Sequence, residues 1–183
     1  MSDALTALAR LTQLHAKIDA FFQRVVAAYP GELQCAAGCT DCCQRDLTIT
    51  PVEAARITQA VRALPKEARA ALAQRARGGD PCVALGPDGR CAVYEARPIV
   101  CRSHGVPIRY EEPQPKGKRA LPVLDACSKN FTGRDLGTLD PAVILDQHTL
   151  SLLGGAIDNL YSEETGALRG ARLTLRDVLL AAC

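Results

Sequence analysis

The chain has 183 residues, 48% hydrophobic and 23% charged, with a formal net charge of +2 and only 4% aromatic residues. This is the composition of a folded chain of one domain's length with an aliphatic core, and its weak charge excludes nucleic-acid or membrane binding driven by electrostatic field alone. Against that ordinary background stand nine cysteines.

The first residues, Met-Ser-Asp-Ala-Leu-Thr-Ala-Leu, carry neither a basic n-region nor an unbroken apolar stretch. No run approaches the roughly 18 apolar residues of a spanning helix. A cytoplasmic location is expected, where thiols stay reduced. In that compartment nine cysteines point to metal or redox chemistry and away from a disulfide framework.

Residues 3–28 form the first predicted element, an amphipathic helix. Leu5, Leu8, Leu11, Leu14, Ile18, Phe21, Phe22, Val25 and Val26 recur at steps of three and four. Ser2 or Asp3 caps its start and Tyr29-Pro30-Gly31 ends it. His15 is expected at the surface or boundary of this helix. Cys35-Ala-Ala-Gly-Cys39-Thr-Asp-Cys42-Cys43 follows, with four thiols in nine residues. Leu47–Thr50 reads as extended. Thr50-Pro51-Val52-Glu53 is a capping box with proline at the first helical position, opening a helix to about Leu64. Pro65 opens another to about Arg77, whose Ala/Arg-rich surface is expected to be solvated. Gly78-Gly79-Asp80-Pro81 breaks it.

Residues 82–94 read as a β-hairpin, with Cys82–Leu85 and Arg90–Tyr94 flanking the turn Gly86-Pro-Asp-Gly89. In that register Leu85 faces Arg90 and Cys82 faces Val93. Cys82, Ala84, Cys91 and Val93 then share one face, with the two thiols diagonal neighbours roughly 7–8 Å apart at Cα. Glu95-Ala-Arg-Pro98 leads back to Cys101-Arg-Ser-His104. Val106–Tyr110 reads as extended, Glu111–Arg119 as a mobile loop, and Leu121–Leu124 leads to Cys127. Asp140-Pro141 is expected to start a helix through Leu150 and Ile157 that Gly154-Gly155 loosens. Thr174–Asp177 begins a last helix ending at Cys183. No repeat of solenoid period is present.

The cysteines outweigh every other motif. A thiolate is a soft anionic donor that suits Zn²⁺, Cu⁺ and iron–sulfur clusters. The spacing Cys39-x₂-Cys42 lets two sulfurs point at one centre, as in structural zinc sites and cluster-binding loops. Extended to Cys35 and Cys43 and joined by Cys82, Cys91, Cys101 and Cys127, it names eight candidate metal ligands. They would fill two four-thiolate sites, or one site with spare thiols. In extended backbone the adjacent Cys42 and Cys43 point to opposite faces. Arg45, Arg90, Arg97, Arg102 and Lys129 each lie within a few residues of a cysteine and are candidates to offset thiolate charge. His104 is a further possible donor, His148 is read as packing or surface, and the terminal Cys183 is left out of the site.

These residues resemble the YkgJ-type cysteine-cluster family, known for a CxxCxxCC motif and described as zinc- or iron-chelating. The resemblance rests on Cys35, Cys39, Cys42 and Cys43, the segment with Cys82 and Cys91, Tyr94-Glu-Ala-Arg-Pro98 leading into Cys101-Arg102, and Cys127. It covers roughly residues 35–128. The first gap here is Cx₃C where the family has CxxC. The resemblance implies metal binding and no settled reaction; the domain also occurs in flagellin lysine methylases, and some relatives are labelled iron–sulfur proteins.

The expected fold is α+β and mostly helical, one domain over residues 1–183. Its helices pack around a small cysteine-rich metal-binding core with a short β-hairpin. The cysteine region, about 35–128, is flanked by the helix at 3–28 and by helices within 140–183. The expected cofactor is an iron–sulfur cluster or zinc, with the cluster marginally favoured. The expected partner is that metal or cluster, with no nucleic acid and no membrane; a protein partner stays open. Two other readings stand beside this one. The chain is a cluster-dependent enzyme or electron-transfer partner, although no G-x-G-x-x-G fingerprint and no nucleophile–base constellation is visible. Alternatively, it is a thiol-redox or metal-trafficking protein.

Overall fold

The structure, a computed structural model, describes residues 3–36, 38–44, 46–78, 82–115 and 120–183. Ser2 as a cap, Arg45 beside the sulfurs, the break at Gly79-Asp80-Pro81 and residues 116–119 of the expected loop lie outside them. In chain order the described elements are α1 (Asp3–Ala28), β1 (Thr48–Ile49), α2 (Pro51–Arg62), α3 (Lys66–Gly78), α4 (Ile99–Ser103), β2 (Ile108–Glu112), β3 (Leu121–Asp125), β4 (Leu145–Asp146), α5 (Gln147–Thr165), β5 (Leu173–Thr174) and α6 (Leu175–Ala182). The class is α+β, mostly helical with a small sheet.

Periodicity places α1 correctly, with Leu11, Leu14, Ile18 and Val25 of the expected stripe buried, but Ala7 joins the buried face while Leu5 and Val26 are exposed. That face packs on α5 and α4. The capping box of α2 forms, with the Thr50 backbone N–H and hydroxyl both donating to Glu53 Oε2 at 2.9 Å. The buried Asp158 carboxylate of α5 accepts from the Val52 N–H at 3.0 Å, tying α5 to the first turn of α2. Helices α2, α3 and α6 enclose one apolar core of Ile49, Ile57, Val61, Leu72, Val83, Val93 and Leu179. A second gathers Val25, Val106, Phe131, Leu139 and Val143 at the far end of α1. Strand β1 pairs antiparallel with β5. The three-stranded sheet runs β3-β2-β4, antiparallel between β2 and β3 and parallel between β2 and β4.

Several expectations are corrected. The hairpin at 82–94 is reduced to a single bridge in which Leu85 pairs with Cys91, one residue beyond the expected register. The Gly86 N–H bonds to the Arg90 carbonyl at 2.7 Å, so the loop closes with Arg90 inside the turn. A five-residue antiparallel ladder forms instead between β2 and β3, and Glu111 and Glu112 belong to that ladder rather than to a loop. Asp140 caps only a single 3₁₀ turn, Pro141–Val143. Leu145 is drawn into the sheet, its N–H bonding the Pro107 carbonyl at 2.8 Å, and α5 starts afresh on Asp146, which caps the Thr149 N–H. Gly154 does not loosen α5. A Cβ there would lie 3.1 Å from Ile99 Cδ1, so the glycine lets α4 approach closely.

His15 is also not at the surface. It is 5% exposed, because α1 is covered on this flank as well, and its Nε2 has no hydrogen-bond partner. Burial first, then the positive charge of Arg102, holds its pKa down at about 4; Arg56 and Arg97 act in the same sense and Asp19 against it. With the folded value below the unfolded one, the histidine's contribution is complete above pH 6.5 and is lost as pH falls toward 4. We expect the unfolding free energy to drop by on the order of 2 kcal/mol over that window. His15→Leu should flatten the profile in urea titrations at stepped pH. An equally steep profile in the variant would assign the dependence to other groups.

Candidate metal centre

All eight candidate cysteines are half-buried, and all nine cysteines of the chain are free thiols. The chain leaves α1 through a turn and doubles back twice, the Cys39 N–H bonding the Ala36 carbonyl at 3.0 Å and the Cys43 N–H the Thr40 carbonyl at 2.9 Å. Cys42 and Cys43 sit in the 3₁₀ turn Asp41–Gln44. Successive residues of a 3₁₀ turn are about 120° apart, so the backbone there is sharply turned rather than extended. The Gly86–Gly89 turn leans on this loop: a Cβ at Gly89 would stand 3.4 Å from Gly38 Cα.

Cys35 is seated by residues that the motif reading missed. Asn130 is buried; its Nδ2 donates to the Gly105 carbonyl at 2.7 Å and lies 3.3 Å from Cys35 Sγ. Its Oδ1 accepts from the Gln34 N–H at 2.8 Å, and its own N–H bonds the Cys127 carbonyl at 2.8 Å. One asparagine thus joins the first cysteine segment to the last. Gly105, at φ +97°, closes the other side, since a Cβ there would fall 2.5 Å from Cys35 Sγ. Neither residue carries a spacing signal; the partners are 95 and 70 positions away in sequence from Cys35. We expect Asn130→Asp, which keeps the acceptor but removes both donors, to cost about 2 kcal/mol of stability. A denaturation midpoint unchanged from wild type would show that the seat tolerates the loss.

Cys82 and Cys91 pack on the rim of the α2–α3–α6 core. The Leu85 N–H returns to the Cys82 carbonyl at 3.0 Å and the Ala92 N–H to the Ala84 carbonyl at 2.8 Å. The chain therefore turns just after Cys82 and is bridged across to Ala92, and Cys82 remains within electrostatic reach of Cys91 despite the register slip. Cys101 rides on α4. Pro98 stands at the N-cap of that helix and has no side-chain oxygen to offer; the buried Glu53 supplies one, its Oε1 accepting from the Ile99 N–H at 2.8 Å. Arg102 on the same helix is buried and bound to Asp19 at 2.6 Å and to the carbonyls of Arg97 and Glu95. It is a structural tie between α4 and α1, not a cation turned toward sulfur.

Two of the expected cations lie within electrostatic reach of thiols. Lys129, paired with Asp41 at 2.7 Å, feels Cys39 and Cys127. Arg97, stacked 3.7 Å over the Tyr94 ring, favours the Cys91 thiolate. Arg90 is exposed. His104 closes the end of α4 and is half-buried. His148 is exposed in the first turn of α5. The exposed Cys183 donates to the Leu179 carbonyl at 3.1 Å.

Burial pushes the thiols up, Cys43 and Cys101 to about 12, with neighbouring sulfurs adding to it. Cys35, Cys42 and Cys91 move the same way, burial again leading. Such groups stay protonated at neutral pH unless a cation displaces the proton. The donor set therefore fits a soft metal better than a reactive thiolate. Among the described residues, no three His, Cys, Asp or Glu side chains converge closely enough to hold a metal ion as they stand.

Residues 34–119 match the model of the CxxCxxCC family, described as "Putative zinc- or iron-chelating domain". Seven of the eight candidate cysteines fall within that span. Cys127 lies beyond it, and Asn130 ties its segment to that of Cys35. No curated protein and no solved structure matches the chain. Among the described residues no helix is long and apolar enough to cross a membrane.

Proposed function

On the premise that residues 34–119 carry a CxxCxxCC domain, we propose that the chain is a metal-binding protein. Cys35, Cys39, Cys42, Cys43, Cys82, Cys91, Cys101 and Cys127 supply thiolates to an iron–sulfur cluster or to zinc, with the cluster marginally favoured. The observation that carries this is that eight free, half-buried thiols lie on four separate chain segments, seven of them within the span that matches the chelating-domain model. Bound metal supplies the positive charge that turns these protonated groups into thiolates. The protein's own part is to hold the sulfurs on short, tied segments, to donate from Asn130 toward Cys35, and to offset negative charge with Lys129 and Arg97.

A thiol-redox role is the weaker reading, because attack by sulfur needs a lowered pKa and burial here raises it. A metal centre in a reducing cytoplasm, working alone or beside an electron-transfer or methyl-transfer partner, is the reading we adopt.

Protein prepared without oxygen should contain iron with acid-labile sulfide, or zinc at about one to two ions per chain, as four-thiolate sites require. A brown colour that bleaches on reduction selects the cluster. Colourless protein that loses its fold with a chelator selects structural zinc. Metal-free protein that is stably folded would overturn the proposal. Because protonated thiols must give up protons, loading should also release protons and tighten as pH rises; proton release measured in weak buffer checks this.

A further inference from the structure

We propose that the C-terminal unit β5–α6 is a hinged strap over Cys82, and that its undocking admits a small solute, such as a thiol reagent or a metal ion, to that sulfur while the rest of the fold stays closed.

Three observations carry this. The first is how the strap is joined to the fold. Residues 166–172 run along the surface: Gly166, at φ +72°, ends α5, Gly170 follows at φ +71°, and Leu168, Arg169 and Arg172 are exposed. Strand β5 then meets β1 over two residue pairs, Thr48 with Thr174 and Ile49 with Leu173. The Leu175 N–H adds a bond to the Leu47 carbonyl at 2.8 Å, and Arg172 donates to the carbonyl and hydroxyl of Thr48. The second is the size of α6. It has eight residues, too few to stay helical without packing. Its helix forms because Leu175, Val178, Leu179 and Ala182 lie on the core that Cys82 and Cys91 border, and because the Thr174 hydroxyl caps the Asp177 N–H at 3.1 Å. Docking and helix formation are therefore one event, and the strap can open as a unit below the free energy of global unfolding. The third is what lies under it. Cys82 and Val83 on one side, and Thr174, Leu175 and Leu179 of the strap on the other, line a cavity of about 20 Å³. That is room for about one water molecule, so nothing larger passes between strap and sulfur until the strap lifts. The cover over this cysteine comes from outside the matched residues 34–119. Cys35 is seated by Asn130 and Gly105 instead, and serves as the internal reference.

The test is alkylation of the full-length chain, as isolated and kept reduced, with iodoacetamide, each cysteine being followed by mass spectrometry of its peptide. Thr174→Ala removes the cap of α6 and touches no buried side chain. It should quicken alkylation of Cys82 about fivefold, the factor given by a helix cap of ordinary strength, and leave Cys35 unchanged. Thr174→Ser keeps the capping oxygen and should stay near wild type. Hydrogen exchange in the wild-type chain supplies a second readout that needs no variant: the α6 amides should exchange with a shallower urea dependence than those of α2. An unchanged Cys82 rate in Thr174→Ala would overturn the strap, as would equal quickening of Cys82 and Cys35, which marks global opening. So would equal urea dependence in α6 and α2. A Cys82 that stays unreactive while α6 opens would also overturn it, since something other than the strap then covers the sulfur. None of these failures would touch metal binding by the eight cysteines, which metal content decides.

Discussion

Glu53→Ala is expected to lower the unfolding free energy by about 3 kcal/mol, the loss of a buried, charge-assisted set of hydrogen bonds that leaves donors unpaired. The carboxylate is 5% exposed and accepts from three donors on two helices: the Thr50 N–H and hydroxyl, and the Ile99 N–H. At α2 the loss is that of an ordinary capping box, on the order of 1 kcal/mol. At α4 it is larger in kind. Pro98 leaves the first N–H of that helix with no local cap, and a buried N–H without an acceptor bears its full desolvation cost. Glu53→Gln should fall between wild type and Glu53→Ala, because one amide oxygen can serve one side of the junction but not both. In a domain of this size the alanine variant should melt roughly 6–12 °C lower. Urea denaturation with an unchanged slope checks the assignment, and a loss under 0.5 kcal/mol would sink it. The consequence reaches the thiols, since the helix that Glu53 holds is the one carrying Cys101. Alkylation of Cys101, followed by mass spectrometry, should quicken in Glu53→Ala well before global unfolding.

That carboxylate also shows where sequence reading stops. Thr50-Pro51-Val52-Glu53 announced a helix start, and the helix is there, because a capping box is satisfied within four residues. The second duty of Glu53, at Ile99, depends on a contact spanning 46 positions that no local pattern encodes. The same division runs through the molecule. Helices α1, α2, α3 and α6 were legible from periodicity and caps. The start of α5 was not, because Asp140 and Asp146 are both competent caps and the choice is made by Leu145 joining the sheet beside Pro107. His15 read as a boundary residue because its burial comes from other elements. The eight thiols were legible as a set, since their chemistry needs no geometry to be recognised. Their seat was not: Asn130 and Gly105 are ordinary residues made specific by what the fold sets against them.

Gly105→Ala tests that seat most severely. Two separate costs are expected, and a second glycine allows them to be measured apart. Gly105 has φ +97°, where a Cβ is strained whatever the surroundings. Gly133, at φ +80°, has the same backbone requirement but nothing within 4 Å of a Cβ. Gly133→Ala should therefore report the backbone cost alone, about 1 kcal/mol. At Gly105 the methyl group would also stand 2.5 Å from Cys35 Sγ and 3.1 Å from Asn130 Nδ2. These are not the ends of long side chains that can swing aside: cysteine has one rotatable bond, and Asn130 is held by Gln34, Gly105 and Cys127 at once. Either the sulfur leaves its place or the backbone shifts, and overpacking of this kind adds about 1–3 kcal/mol. Gly105→Ala is thus expected to lose about 2–4 kcal/mol in total, at least 1 kcal/mol more than Gly133→Ala. Because the displaced atom is a sulfur proposed to bind metal, the variant should also hold cobalt less tightly against a chelator, whereas Gly133→Ala should not. Equal losses of stability in the two variants would mean that the space beside Cys35 is not closed. A Gly105→Ala protein with wild-type cobalt affinity would remove Cys35 from the set of ligands.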